Sequence, residues 1–294
     1  MRSIRFAINP LQWLATPDGW LDFNGGPPLP QLLEEIREAG FDAISVAPPP
    51  DGDVAEYAAT LDAAGIAPAP GYLSGQMQDP AERAAIVARA ERLAEAHAEL
   101  GLAEVFVASG MGYEAPRVLR PARGAYPDEG RLAEVAETLI QVAAATKRSG
   151  VTSCLHQHVG TWIEVEDEVE WVLDRVDPEL LALGPDTGHH AWAGTDPAAL
   201  IARHAPRVRA LHVKDARLSV ASRFRDGDAN YRDVVAAGLW AEPGRGELDL
   251  RGAIEALPAD FAGWAIVEVD KPDLPTPQES ARASAAWTRE AATW

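Results

Sequence analysis

The chain has 294 residues, 47% of them hydrophobic, enough to bury a large core in one or two units. Its formal charge of −19, with lysine only at Lys147, Lys214 and Lys271, argues against a nucleic-acid partner and disfavours a strongly anionic substrate. The single cysteine, Cys154, excludes an intrachain disulfide and a thiolate-based zinc site.

No apolar run approaches the roughly 20 residues of a membrane span, and the opening MRSIRFAINPLQW has no signal-peptide core. The expectation is a soluble, cytoplasmic protein with no membrane partner.

The predicted elements alternate from the start. A strand near Ile4–Asn9 leads through a Gly- and Pro-rich loop (Gly25–Pro30) into a helix near Leu29–Ala39. Strands near Ala43–Ala47, Ile66–Tyr72 and Val105–Ser109 are separated by helices near Val54–Ala64 and Pro80–Leu100. A long loop, Glu114–Pro127, precedes a helix near Glu129–Ser149 and a strand near Thr152–His156. A helix near Val165–Val176, a strand near Leu181–Asp186 and a helix near Pro197–His204 follow. The strand near Ala210–Lys214 opens a third long loop, Ala216–Asn230, with a helix near Leu250–Leu257 beyond it. A strand near Trp264–Val269 and a helix near Pro277–Thr293 close the series. Gly40, Gly65, Gly101 and Gly150 each stand where a helix ends before the next strand. Eight such units predict one α/β domain over residues 1–294, a closed (β/α)₈ barrel with long loops on its C-terminal face. An open doubly wound sheet is the alternative, but no GxGxxG turn follows the first strand.

Histidines mark the mouth of that barrel. Of seven, His97 and His204 lie on predicted helices, whereas His156, His158, His189, His190 and His212 cluster at the ends of the fifth, sixth and seventh strands. In LHVKD, His212 and Lys214 share one strand face; in WAIVEVD, Ile266, Glu268 and Asp270 do. A carboxylate inside an apolar strand must be neutralised, paired or bound to a metal. In GPDTGHH, Asp186 ends a strand, and Gly188 is expected to turn His189 back over the mouth. Asp186, His212, Glu268 and a histidine of the fifth strand would then offer four N/O ligands to a divalent cation. Mn²⁺ or Co²⁺ comes first, with Zn²⁺, Fe²⁺ or Mg²⁺ as alternatives.

Each residue alone also has a plainer role. Glu268 could pair with Lys214, Asp186 could cap a helix, and a histidine could be hydrogen-bonded in the core. Trp13, Trp162 and Trp192 are candidates to stack on a sugar ring or to pack at the rim. Glu164 could be a general base, or an acid favoured at a helix N-terminus.

The chain resembles the sugar phosphate isomerase/epimerase superfamily of xylose isomerase-like TIM barrels, and within it the inosose dehydratase-like branch. The residues that carry the likeness are INPLQW (8–13), HQHVGT (156–161), DTGHHAWAGTDP (186–197), HVKD (212–215), GLWAEPGRGELDL (238–250) and GWAIVEVDKP (263–272). The resemblance implies metal ligation by Asp186, His212 and Glu268, with His156 where the superfamily commonly has a Glu. It also implies that His189, with Lys214 beside it and Asn9 of the opening motif, holds substrate. With His156 in that place, epimerisation by two opposed glutamates is less well supported than dehydration. A keto-cyclitol or keto-sugar would chelate the metal, lose the proton beside its carbonyl through an enediolate, and expel a β-hydroxyl. His156, His158, His189 and Glu268 are candidate proton carriers, and Lys214 could polarise the carbonyl. The alternatives are a ketose isomerase or epimerase, a lyase on 3-keto-glycosides, and a non-catalytic sugar-binding barrel. A homo-oligomer is the expectation by analogy.

Overall fold

A computed structural model of the chain describes residues 2–49 and 52–294. The strands, in order, are β1 (Arg5–Asn9), β2 (Ala43–Ser45), β3 (Ala67–Ala69), β4 (Tyr72–Gly75), β5 (Glu104–Ser109) and β6 (Thr152–Leu155). They continue as β7 (Leu181–Leu183), β8 (Ala210–Val213), β9 (Asp215–Ala216), β10 (Trp240–Ala241) and β11 (Trp264–Glu268). The first six helices are α1 (Leu29–Ala39), α2 (Val54–Ala64), α3 (Arg83–Glu99), α4 (Pro116–Leu119), α5 (Glu129–Arg148) and α6 (Glu166–Leu173). After them come α7 (Thr187–Trp192), α8 (Pro197–Arg203), α9 (Leu218–Phe224), α10 (Tyr231–Ala236), α11 (Leu250–Glu255) and α12 (Pro277–Ala291). The glycines after α1, α2, α3 and α5 all take positive φ, as the sequence pattern requires.

Two parallel sheets, β3-β2-β1-β11-β8 and β4-β5-β6-β7, form the wall of a TIM barrel. One seam is a broken strand: β3 pairs with β2, and β4 with β5. The other is carried by the parallel bridges Leu183–Val208 and Asp186–His212.

The break corrects the continuous third strand expected over Ile66–Tyr72, and its cause is local. Pro70 has no N–H to donate. Gly71 approaches so closely that a Cβ would lie 2.3 Å from the Val46 carbonyl oxygen. His97 of α3 fills the gap: Nε2 accepts from the Gly71 N–H at 2.9 Å, and Nδ1 donates to the Leu93 carbonyl at 2.8 Å.

Inside the barrel, Ala7, Ala43, Ala69, Cys154, Ala182 and Ala210 leave room for the ring of Phe106. Gly184 belongs to the same fit, since a Cβ there would stand 2.7 Å from that ring. Outside, helices bury apolar faces at helical spacing, such as Leu33, Ile36 and Ala39 of α1.

Other departures lie in the predicted loops. The segment Glu114–Pro127 contains α4, and Ala216–Asn230 contains α9. β9 and β10 form a short antiparallel ribbon. Gly188 sits inside α7 rather than at a turn; a Cβ there would meet Lys214 Cγ at 2.8 Å, so close packing requires the glycine.

His97 sets up a test. Burial holds its pKa down at about 4 against 6.5 for a free imidazole. The folded state therefore binds fewer protons between those values, and this contribution, present above pH 6.5, is lost as pH falls toward 4. His97→Ala is expected to cost roughly 2–4 kcal/mol at pH 7 by emptying a buried volume and orphaning the Gly71 N–H. In urea unfolding, the gap from wild type should narrow at pH 5; a gap that stays constant would contradict this role.

Candidate active site and metal centre

The site is assembled by strand register. Glu268 at the end of β11 lies opposite Asn9 of β1, Ile266 lies opposite His212 of β8, and His212 is bridged to Asp186 after β7. His156 follows β6 directly. Asp186 is also the N-cap of α7: its Oδ1 accepts from the His189 N–H at 2.8 Å. One carboxylate oxygen is spent on the helix, and the other is left for the site.

Lys214 is the electrostatic centre. Its fully buried ammonium lies 2.5 Å from Glu268 Oε1, 2.8 Å from Asp270 Oδ1 and 3.8 Å from Asp186 Oδ2. It donates to His189 Nε2 at 3.0 Å and stands 4.8 Å over the Trp240 ring. Burial alone would deprotonate it, but Asp270, Glu268 and Asp186 hold its pKa well above the ordinary value. Burial would likewise protonate Glu268, yet Lys214 and His212 pull its pKa well below the usual range. Glu268 Oε2 accepts from Asn9 Nδ2 at 2.6 Å and lies 3.2 Å from His212 Nδ1. For Asp186 and Asp270 burial prevails, and their pKa values are pushed up to about 6.

Beside this cluster is a set of donors suited to a cation. Ligand atoms of His156, Asp186 and His212 all lie within 4.8 Å of one another. Both ring nitrogens of His156, Nε2 of His212 and Oδ2 of Asp186 are buried with no hydrogen-bond partner. Such orphaned groups cost about 1–3 kcal/mol each unless something binds them. The ionised cluster has three carboxylates to one ammonium, an excess that a divalent ion would balance. Imidazole and carboxylate donors suit a borderline divalent metal. Glu268, whose oxygens meet Lys214 and Asn9, joins Asp186 and His189 in an adjoining group rather than the first.

A cavity of about 740 Å³ opens above these groups. Asn9, His156, His158, Glu268 and Asp270 line it, whereas Asp186, His189, His212 and Lys214 are buried behind them. His158 Nδ1 donates to the Val159 carbonyl at 2.7 Å, so its lone pair is on Nε2. Burial and then the charge of Lys214 hold its pKa down at about 3. His189 is likewise held well below the ordinary value by burial, with the neighbouring imidazoles and Lys214 adding to it.

The three tryptophans singled out in the sequence are placed elsewhere. Trp13 donates to Glu35 Oε2 at 2.6 Å, and Trp162 lies under the guanidinium groups of Arg131 and Arg117 at 3.8 and 4.8 Å. Trp192 packs behind the wall on Tyr231 and Trp240. Glu164 is buried away from the cavity, where its oxygens accept from the N–H groups of Ala122, Arg123, Gly124 and Gly160 at 2.8–3.1 Å. The aromatic wall is instead built from Trp20, Tyr72, Tyr113 and Tyr231, residues to which the sequence reading assigned no role. Asp270 was signalled by its alternation with Glu268; Tyr231, near the end of a long loop, had no such signal.

Comparison with known proteins places this geometry in a family. The model of the family described as Xylose isomerase-like TIM barrel matches residues 33–291. The rhizopine catabolism protein MocC of Rhizobium meliloti is 32% identical over 279 residues, spanning 92% of this chain and 83% of that protein. An inosose dehydratase of Geobacillus thermodenitrificans is 28% identical over 297 residues, spanning 98% and 97%. Among solved structures, 3-keto-D-glucoside 4-epimerase from E. coli aligns with a TM-score of 0.70 at 18% identity, covering 98% of this chain and 100% of that one. The IolI protein with a bound zinc atom gives 0.69 at 16%, covering 99% and 98%. At such identities the two structures speak for the fold alone. The family match, which runs over most of the sequence, shows that this chain belongs to the xylose isomerase-like TIM barrel family.

Proposed function

We propose that the chain is a metal-dependent carbon–oxygen lyase that dehydrates a keto-cyclitol or keto-sugar. The observation that carries the reading is that His158 and Asp270, a base and an acid, both line the cavity and lie in one close group with the buried His189. Dehydration needs only one working face for its proton transfers, whereas two-base epimerisation needs bases on opposite faces. Support also comes from two relatives named inosose dehydratase that match nearly the whole chain.

His156, Asp186 and His212, with Glu268 adjoining, would hold the ion, Mn²⁺ or Co²⁺ first and Zn²⁺ as the neighbour's example. When bound, it supplies a Lewis acid that acidifies the proton beside a carbonyl. His158 is unprotonated at neutral pH and offers Nε2 to that proton. Its low pKa keeps Nε2 free to accept at neutral pH and makes it a weak base, which leaves the acidifying of the proton to the ion. Asp270, held by Lys214 and by the Tyr231 hydroxyl at 3.4 Å, has its pKa pushed up to about 6. The fraction protonated near neutral pH would give its proton to the departing hydroxyl and be left as the ionised carboxylate of the cluster. Among the described residues no lysine or arginine lines the cavity, which favours an unphosphorylated substrate.

Three outcomes follow. Asp186→Ala should weaken divalent-ion binding by about 100-fold, read as metal content after dialysis; undiminished metal would remove the site. In D₂O, 2-keto-myo-inositol with Mn²⁺ or Co²⁺ should lose water to give an ultraviolet-absorbing dione. Deuterium in an isomeric sugar, with no loss of water, would mean epimerisation. His158→Gln should lower kcat by about 10²–10⁴ while leaving metal content unchanged, and full activity would exclude His158 as base.

A further inference from the structure

The cavity is larger and more apolar than a bare ring alone would fill. We propose that the substrate carries an aromatic aglycone on its keto-sugar ring, seated against Trp20, Phe23 and Tyr113. The inference rests on the lyase reading for the sugar end only. Even at the roughly 30 Å³ that a water takes up in the liquid, the dozen heavy atoms of a keto-cyclitol fill about half of the 740 Å³. Drug-sized ligands occupy cavities of about 300–1,000 Å³.

The lining is divided. Asn9, His156, His158, Glu268 and Asp270 supply its chemistry-bearing groups, while Leu11, Leu14, Ile44, Val46 and Met111 make much of the rest of the lining apolar. An aromatic strip leads away from Asp270. The Tyr231 hydroxyl donates to Asp270, its ring meets Trp20 edge-on at 6.0 Å, and Trp20 packs against Tyr113 at 4.1 Å with the rings tilted by 33°. Trp20 is presented by a built loop, with Ala15 bridged to Leu21 and the Thr16 N–H donating to the Trp20 carbonyl at 2.8 Å. Phe23 at the rim is 71% exposed and Tyr113 50%, two of the four large hydrophobic side chains left exposed in the described chain. Exposed aromatics lining a cavity that leads to a polar site mark a binding surface for a flat apolar group. Among the described residues no lysine or arginine lines the wall, which disfavours a negatively charged group there.

Titration calorimetry with phenyl β-D-glucoside and methyl β-D-glucoside reads this subsite apart from turnover, because neither sugar is oxidised. The phenyl glycoside should bind at least about tenfold more tightly. The double variant Phe23→Ser/Tyr113→Ser should cut that preference below about threefold without changing the affinity for the methyl glycoside. Phe23→Ser alone, at an exposed position, should give a partial loss in a chain whose folding is not at risk. Absent phenyl glucoside binding, equal affinities in the wild type, or a preference that the double variant keeps would each overturn the proposal. So would a dimer that the double variant dissociates, which would make the rim a subunit interface. Failure to convert 2-keto-myo-inositol bears on the lyase reading instead, and leaves the phenyl-to-methyl ratio as the measure of the subsite.

Discussion

A lysine ammonium with no access to water is the constraint around which the mouth of this barrel is arranged. Lys214 could not stay charged in the interior without Glu268 and Asp270 in contact and Asp186 just beyond. Those carboxylates, in turn, could not crowd together without the ammonium. The arrangement ties the ends of β7, β8 and β11 to one another, and Asn9 adds β1 through Glu268. Removing one partner would leave uncompensated buried charge, so the cluster fixes geometry more than it adds net stability. The same field keeps Glu268 ionised while burial leaves Asp270 close to neutral pH. One lysine thus divides neighbouring carboxyl groups into different roles.

Buried carboxylates do a second job in the loops. Glu164 gathers four backbone N–H groups from 122–124 and 160, and holds Ala122 at φ 60°, a conformation costly for a residue with a Cβ. Asp215 binds the N–H groups of Gly244, Gly246 and Leu248, and Glu242 those of Asp273 and Leu274. Arg117 anchors the loop before α5 through a buried pair with Glu168 at 2.5 Å and a bond to the Ala125 carbonyl at 2.8 Å. Loops are usually the soft part of a barrel, but these are tied to the scaffold by charge-assisted bonds. Seven of the 45 acidic residues are buried among the described residues, and those that brace these loops serve the structure.

How much of this was legible in the sequence depended on the range of the interaction. Alternation within one strand is local, so His212 with Lys214 and Glu268 with Asp270 could be read directly. Helix ends were legible because glycine is needed for positive φ at Gly40 and Gly65. The break between β3 and β4 was only half visible: Pro70 stood in the sequence, but the partner that stabilises the break, His97, lies on α3. The tryptophans failed as markers because an indole's place depends on distant partners. Trp13 found Glu35, and Trp162 found two arginines. Glu164 lay in a run of acids that suggested a helix start, and nothing local distinguished the one that turns inward.

His156 shows how the barrel floor and the site depend on each other. Neither of its ring nitrogens has a hydrogen-bond partner, so no second residue fixes its tautomer as a histidine ligand usually requires. Its orientation comes instead from packing, with the edges of Tyr72 and Phe106 at 5.2 and 6.0 Å and the His212 ring at 4.6 Å. Burial, and the positive charge that His212, His158 and Lys214 can carry, hold it neutral. A glutamate in that place would bring a fourth carboxylate into a cluster with one ammonium. The neutral ring leaves the excess at a level that one divalent ion can meet. It can stand there because the small residues around Phe106 let that ring rise to support it. The alanines of the barrel interior, which look like ordinary core filling, thereby help to place the neutral His156 ring.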